Sequence, residues 1–129
     1  MKAVRKIAFV VPNTSWFGKR YWVWFNPASL LLPPILRARG IAVDIIEANI
    51  DDLSSAQVKE RIAAAAPDMV AITNMSLEYW RQAHHCAKLA KEVAHSLPVV
   101  MGGVHATVLP GKVLEDKNID YLVLGEGEE

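Results

Sequence analysis

The sequence holds one cysteine, Cys86, in 129 residues, so an internal disulfide is excluded and no second thiol exists to share a zinc or iron–sulfur site. A reducing, cytoplasmic setting is expected. An excess of charge is absent as well: 14 Lys and Arg stand against 14 Asp and Glu, which leaves no basic footprint for nucleic acid. No apolar run approaches the ~18 residues that a membrane span needs. The start MKAVRKIAFVV has a basic lead, but Pro12 cuts its apolar run and no small-residue cleavage site follows, so it reads as a first strand rather than a signal peptide. With 52% hydrophobic and 22% charged residues and a length typical of one domain, residues 1–129 are expected to form a single domain without linker, repeat or low-complexity stretch.

Short aliphatic runs alternate with helix-like ones. Val4 to Val11, Ala42 to Ile46, Met69 to Thr73, Leu97 to Met101 and Tyr121 to Leu124 read as five strands, and their continuous apolarity marks burial on both faces, as in parallel sheets. Between them, Ser54 and Gln57 form a capping-box signature for a helix that Pro67 stops. Ser76 is placed to cap a further helix with Glu78 in its first turn, whose stripe Trp80, Ala83, Ala87, Ala90 and Ala94 should face the sheet. Pro33-Pro34 predicts a break in the first helix, with Pro34 near the first turn of a segment ending at Gly40. Pro110 opens a short fourth helix with Val113 and Leu114 on its apolar side. Repeated β-α units imply a doubly wound, flavodoxin-like (Rossmann-like) α/β fold, five parallel strands in the order 2-1-3-4-5 with helices on both faces.

Ligands of such sheets sit beyond the carboxyl ends of the strands. The residues there are Asn13-Thr14-Ser15, Thr73-Asn74-Met75-Ser76, Gly102 to Thr107, and Gly125-Glu126-Gly127. Four of the seven glycines, Gly102, Gly103, Gly125 and Gly127, fall in the last two loops, where they either let backbone approach a ligand or make tight turns. No G-x-G-x-x-G and no G-x-x-x-x-G-K-[ST] occurs, so nucleotide binding by those devices is unsupported.

The stretches GGVHAT and LPGKVLEDKNIDYLVLGEGEE, behind IAFVVPN, ILRARGIAVDIIEANIDDLS and PDMVAITNMS, resemble the N-terminal cobalamin-binding domain of B12-dependent radical SAM enzymes over essentially the whole chain. The resemblance implies cobalamin held with the corrin over the carboxyl edge and the dimethylbenzimidazole tail along the sheet. Gly102 and Gly103 would make room for the tail, Thr73 and Ser76 would offer it hydroxyls, and Asn74, Met75, His105, Ala106 and Gly125 to Gly127 would line the same slot. Cobalamin mutases and methionine synthase carry Asp-x-His-x-x-Gly after strand one, whose histidine coordinates cobalt. Here Pro12 to Gly18 has no histidine, which implies base-off cobalamin without a protein ligand to the metal, with Asn13 or Thr14 facing its lower side. No C-x-x-x-C-x-x-C occurs, so the [4Fe–4S] cluster and S-adenosylmethionine are assigned to a radical SAM domain expected C-terminal to this chain. The resemblance implies that the parent is an enzyme, such as a methyltransferase, and this chain its binding module. Pro33-Pro34 and Gly111 depart from the family pattern.

The alternatives are a flavin-binding or ligand-free interaction domain on the same fold. A receiver reading fails, because Asn13 and Thr73-Asn74 stand where aspartates are required. His84-His85-Cys86 does not read as a metal site, since adjacent helix positions diverge; a solvated flank with Cys86 partly buried is expected. Six of the ten aromatics, Trp16, Phe17, Tyr21, Trp22, Trp24 and Phe25, share one loop, as a docking patch, a ligand cover or a well-packed loop. His105 is expected to donate a hydrogen bond to the nucleotide tail. Glu126, Glu128 and Glu129 suit the first turn of a helix.

Overall fold

The computed structural model describes residues 3–18, 26–74, 76–125 and 127. Strands β1 (Lys6–Val11), β2 (Ala42–Glu47), β3 (Met69–Asn74), β4 (Val99–Gly103) and β5 (Tyr121–Leu122) form one parallel sheet in the order β2-β1-β3-β4-β5. The order is the one expected from the alternation of elements. Ile7 to Val11 are all buried, as a central strand covered on both faces requires. β5 is shorter than its apolar run, yet Val123 N still donates to Met101 O at 2.9 Å, so pairing continues past the assigned strand.

Helices α2 (Ser55–Ala65), α3 (Trp80–Val93), α4 (Val104–Val108) and α5 (Pro110–Val113) lie on one face, and α1 (Pro27–Ala38) on the other. The Ser54–Gln57 capping box is present, and α2 ends at a left-handed Ala66 before Pro67. Its Val58 and Ile62, one turn apart, are fully buried, and each contributes roughly 1.5–3 kcal/mol of apolar transfer.

α1 is unbroken across Pro33-Pro34, contrary to the sequence expectation. Proline's fixed φ is itself helical, so the pair can stand inside a helix, at the cost of two backbone donors and of crowding against the preceding turn. The helix is held instead by Asn26, whose side chain accepts from Ala28 N, and by Leu32 and Leu36 packing on Phe9, Val11 and Val43. The helix after β3 also starts later than expected. Ser76 caps a single 3-10 turn, Leu77–Tyr79, and α3 follows. Its buried face is Gln82, Ala83, Cys86, Ala87, Leu89 and Ala90, which includes the middle of the expected stripe, whereas Trp80, its first residue, and Ala94, its C-cap, are exposed at the two ends. α4 has no counterpart in the sequence reading.

Candidate functional site

α1 covers β2 and β1 but leaves its face of β3, β4 and β5 open. The result is a cleft of about 620 Å³ running from Ile7 and Arg39 at one end to Thr73, Gly102, Gly103, Gly125 and Gly127 at the carboxyl edge. Its floor is Phe9, Ala71, Val100 and Val123, and its wall is Leu31, Leu32, Ile35 and Leu36 of α1. The register explains how the upper end assembles: Thr73 pairs with Gly102 and Asn74 with Gly103. Gly103 has φ 101°, and a Cβ there would stand 2.1 Å from Asn74 O, so no side chain fits. At Gly102 a Cβ would make an ordinary 3.6 Å contact with Val123 and would narrow the cleft.

The remaining site residues divide into two groups. Thr14, Thr73 and Asn74 line a small pocket beside the cleft, together with Asn26, Asn49 and Tyr79, and Asn13 precedes Thr14 in the same loop. Asn13 Nδ2 donates to Asp52 Oδ1 (2.9 Å) and Leu53 O (3.2 Å), and Thr14 Oγ1 donates to Asn49 Oδ1 (2.7 Å). These bonds tie the loop after β1 to the loop after β2, which directs both side chains into the protein. Asn26 Nδ2 donates to Thr73 Oγ1 at 3.3 Å, linking the α1 cap to β3. Asn74 Oδ1 accepts from Ser76 N, while its buried Nδ2 has no partner. Ser76 Oγ is used by Glu78 N. Met75 and Glu126 lie outside the described residues.

His105 and Ala106 form the second group. Both are buried on the α3 side of the sheet and are not among the residues lining the cleft. His105 Nε2 lies 3.1 Å from His84 Nε2, whose Nδ1 lies 2.6 Å from Asp116 Oδ2. The ring of Trp80 stands 5.9 Å from His84 and 6.3 Å from His105. His84 is therefore no solvated flank: a carboxylate 32 residues away partners it, a pairing that helix spacing cannot reveal. Cys86 is fully buried rather than partly so, and burial pushes its thiol well above the ordinary range. Among the described residues no group of three His, Cys, Asp or Glu is arranged to hold a metal ion.

Of the aromatic loop, Trp16 and Phe17 are described and Lys19 to Phe25 are not. Trp16 Nε1 donates to Leu53 O at 3.0 Å, both rings stand edge-on to His85, and the Arg81 guanidinium lies 4.9 Å from the Phe17 centroid. What the sequence could not reveal is the α1 wall and Arg39, since the gap beside α1 exists only in three dimensions.

A family profile described as "B12 binding domain" matches residues 18–129. This chain belongs to the B12-binding domain family. It is 33% identical over 127 residues to the anaerobic magnesium-protoporphyrin IX monomethyl ester cyclase of Rubrivivax gelatinosus, covering 96% of this chain and 23% of the cyclase. It is 34% identical over 76 residues to the cytidylyl-2-hydroxyethylphosphonate methyltransferase of Streptomyces wedmorensis, covering 59% of this chain and 14% of that enzyme. This B12-binding domain thus spans less than a quarter of the length of these two relatives. In fold it resembles the cobalamin-dependent S-adenosylmethionine radical enzyme OxsB, solved with aqua-cobalamin and S-adenosylmethionine bound, with a TM-score of 0.79, 15% identity, and coverage of 97% of this chain and 17% of that one. A response regulator receiver domain from Methanoculleus marisnigri JR1 shares the fold at a TM-score of 0.59 and 16% identity, over 94% of this chain and 85% of the receiver domain. Among the described residues no helix is long and apolar enough to cross a membrane.

Proposed function

We propose that this B12-binding domain holds base-off cobalamin, its nucleotide tail lying in the cleft beside α1, and delivers it to a radical SAM domain of the same enzyme. The observation that carries the reading is the cleft itself. It is apolar along its length, it opens at the carboxyl edge, and it has glycines where side chains would close it. The residues fit the group: Ala71, Val100 and Val123 offer an apolar floor to an aromatic base, Thr73 supplies a hydroxyl, and the adjoining small pocket holds Asn74, whose buried Nδ2 has no partner among the described residues.

Bound cobalamin would supply a cobalt centre able to carry a methyl or other reactive group. The chain's own part is to bind, orient and exclude water. The absence of histidine from Pro12 to Gly18, together with the inward commitment of Asn13 and Thr14, supports a cobalt without a protein ligand from that loop. The 23% and 17% spans support one domain of a larger enzyme, and the parent's substrate and reaction belong to the remainder.

The test is an ultraviolet-visible titration with hydroxocobalamin followed by desalting, comparing the chain with Gly102→Leu. Near-stoichiometric retention with a base-off spectrum, lost in the variant while its circular dichroism is unchanged, is the expected result. Retention of a base-on spectrum, or equal retention by both proteins, would overturn the placement of the tail.

A further inference from the structure

Asp116, His84 and His105 form a line of hydrogen bonds from the turn after α5, through α3, to the first turn of α4. A carboxylate only accepts, so the 2.6 Å contact puts the proton of His84 on Nδ1. With His84 neutral, its Nε2 is then an acceptor, and His105 donates from its own Nε2 across 3.1 Å. A neutral imidazole has one proton to give. His105 Nδ1 is therefore left bare, and it is a buried nitrogen without a partner among the described residues.

Burial is the largest influence on the His105 ring and, with the Lys112 charge acting in the same direction, holds the imidazole below its ordinary pKa of 6.5. Asp116 is the one carboxylate in the relay, and it is bonded to His84 rather than to His105. Asp116 also accepts from Asn118 N through its other oxygen, at 2.9 Å, which fixes the outer end of the line.

We propose that Asp116 and His84 are positioning residues that set His105 as a hydrogen-bond acceptor for an amide N–H of a ligand bound at the carboxyl edge. This rests on the reading of the chain as a cobalamin holder, and it specifies which part of the ligand is met. The corrin periphery carries primary amides. The tail is excluded, because the cleft lies on the α1 face of β4 whereas His105 lies on the α3 face. The polarity is the reverse of the donor role expected from sequence, since the only N–H of His105 is spent on His84. α4, which carries His105 directly after β4, has only five residues and no side-chain cap, and Val104 at its start is exposed.

The experiment uses the whole chain, Asp116→Asn and His84→Phe, with two readouts. Asparagine keeps the bond to Asn118 N and the side-chain shape, so the first variant retains the turn. In the ligand-free proteins, ring-nitrogen NMR shifts are expected to report the Nε2–H tautomer for His105 in the parent and a redistribution toward Nδ1–H in both variants. The Nδ1–H tautomer in the parent, or no change in either variant, would overturn the relay. Titrations with hydroxocobalamin and with diaquacobinamide, which lacks the tail, are expected to weaken about five- to tenfold for both ligands in Asp116→Asn, the loss of one hydrogen bond. Weakening for hydroxocobalamin alone, or for neither, would overturn the corrin amide as partner. If the parent binds neither ligand, the cobalamin reading fails and takes this acceptor role with it; the tautomer result, obtained without ligand, tells that failure apart from failure of the relay.

Discussion

Gly125 N–H donates to Thr107 Oγ1 at 3.0 Å, joining the turn after strand four to Gly125 after strand five across 18 residues. Gly125 has φ 68°, so the bond secures a left-handed turn at the mouth of the cleft. Both stretches thus act as one rim. Thr107→Val removes the acceptor while keeping the side-chain shape. It is expected to cost under about 1 kcal/mol, because the bond is solvent-exposed, and to raise amide hydrogen exchange at Gly125 several-fold. Unchanged exchange at Gly125 would show that the rim is held by other contacts.

The two glycines of β4 are expected to respond differently to the same methyl group. Gly103→Ala puts Cβ 2.1 Å from Asn74 O at a positive φ and is expected to cost roughly 2–4 kcal/mol or prevent folding. Gly102→Ala makes an ordinary 3.6 Å contact and is expected to stay within about 1 kcal/mol of the parent. Urea midpoints of the two variants measure this directly, and equal midpoints would contradict the geometry.

Asp120 staples the start of β4 to β5: its Oδ2 accepts from Val99 N at 2.9 Å and from Lys91 Nζ at 2.8 Å. Burial raises its carboxyl, but the Lys91 and Val99 donors outweigh burial and hold it below the ordinary 3.8. A depressed carboxyl contributes stability that is present above its unfolded pKa and lost as pH falls through the folded value. Asp120→Ala leaves Val99 N without an acceptor and is expected to cost about 1–3 kcal/mol at pH 7. The gap between parent and variant should narrow below about pH 4, the unfolded range for Asp. Denaturation at pH 7 and at pH 3 reads it out; a gap that widens toward acid would refute the assignment.

Cys86 is fully buried, and burial pushes its thiol up, so little thiolate forms at pH 8. Labelling by a thiol-reactive disulfide reagent is expected to be slow in the native chain and fast in 6 M guanidinium. Fast native labelling would mean that α3 opens from the sheet.

Much of the fold was legible because its signals are local. Ser54 and Gln57 are three residues apart, so their reciprocal cap can be read from the text, and the apolar runs Ile7 to Val11 and Met69 to Ile72 name central strands by composition alone. The first helix was misread for a related reason. Pro33-Pro34 is a local signal too, but its cost is offset by Leu32 and Leu36 packing on Phe9 and Val43, and contacts made across the sheet cannot be weighed along the chain. The start of α3 was misplaced because Ser76 caps a 3-10 turn as readily as an α-helix.

The same division runs through the site. Gly102, Gly103, Gly125 and Gly127 could be named in advance, because strand ends place them at the carboxyl edge and glycine is the residue that leaves room there. Asp68 and Asp120 each cap a neighbouring strand, Asp68 accepting from Arg5 N and Lys6 N and Asp120 from Val99 N, pairings between residues far apart in the chain that the sequence does not show.

The order of short apolar strands and capped helices, by itself, determined the doubly wound sheet and the loops in which a ligand must sit, since those follow from periodicity and chain connectivity. Only the tertiary structure decided that α1 leaves half its face open as a cleft and that Asp116 meets His84 and His84 meets His105. Those facts depend on distances between residues far apart in the chain, and packing alone sets such distances.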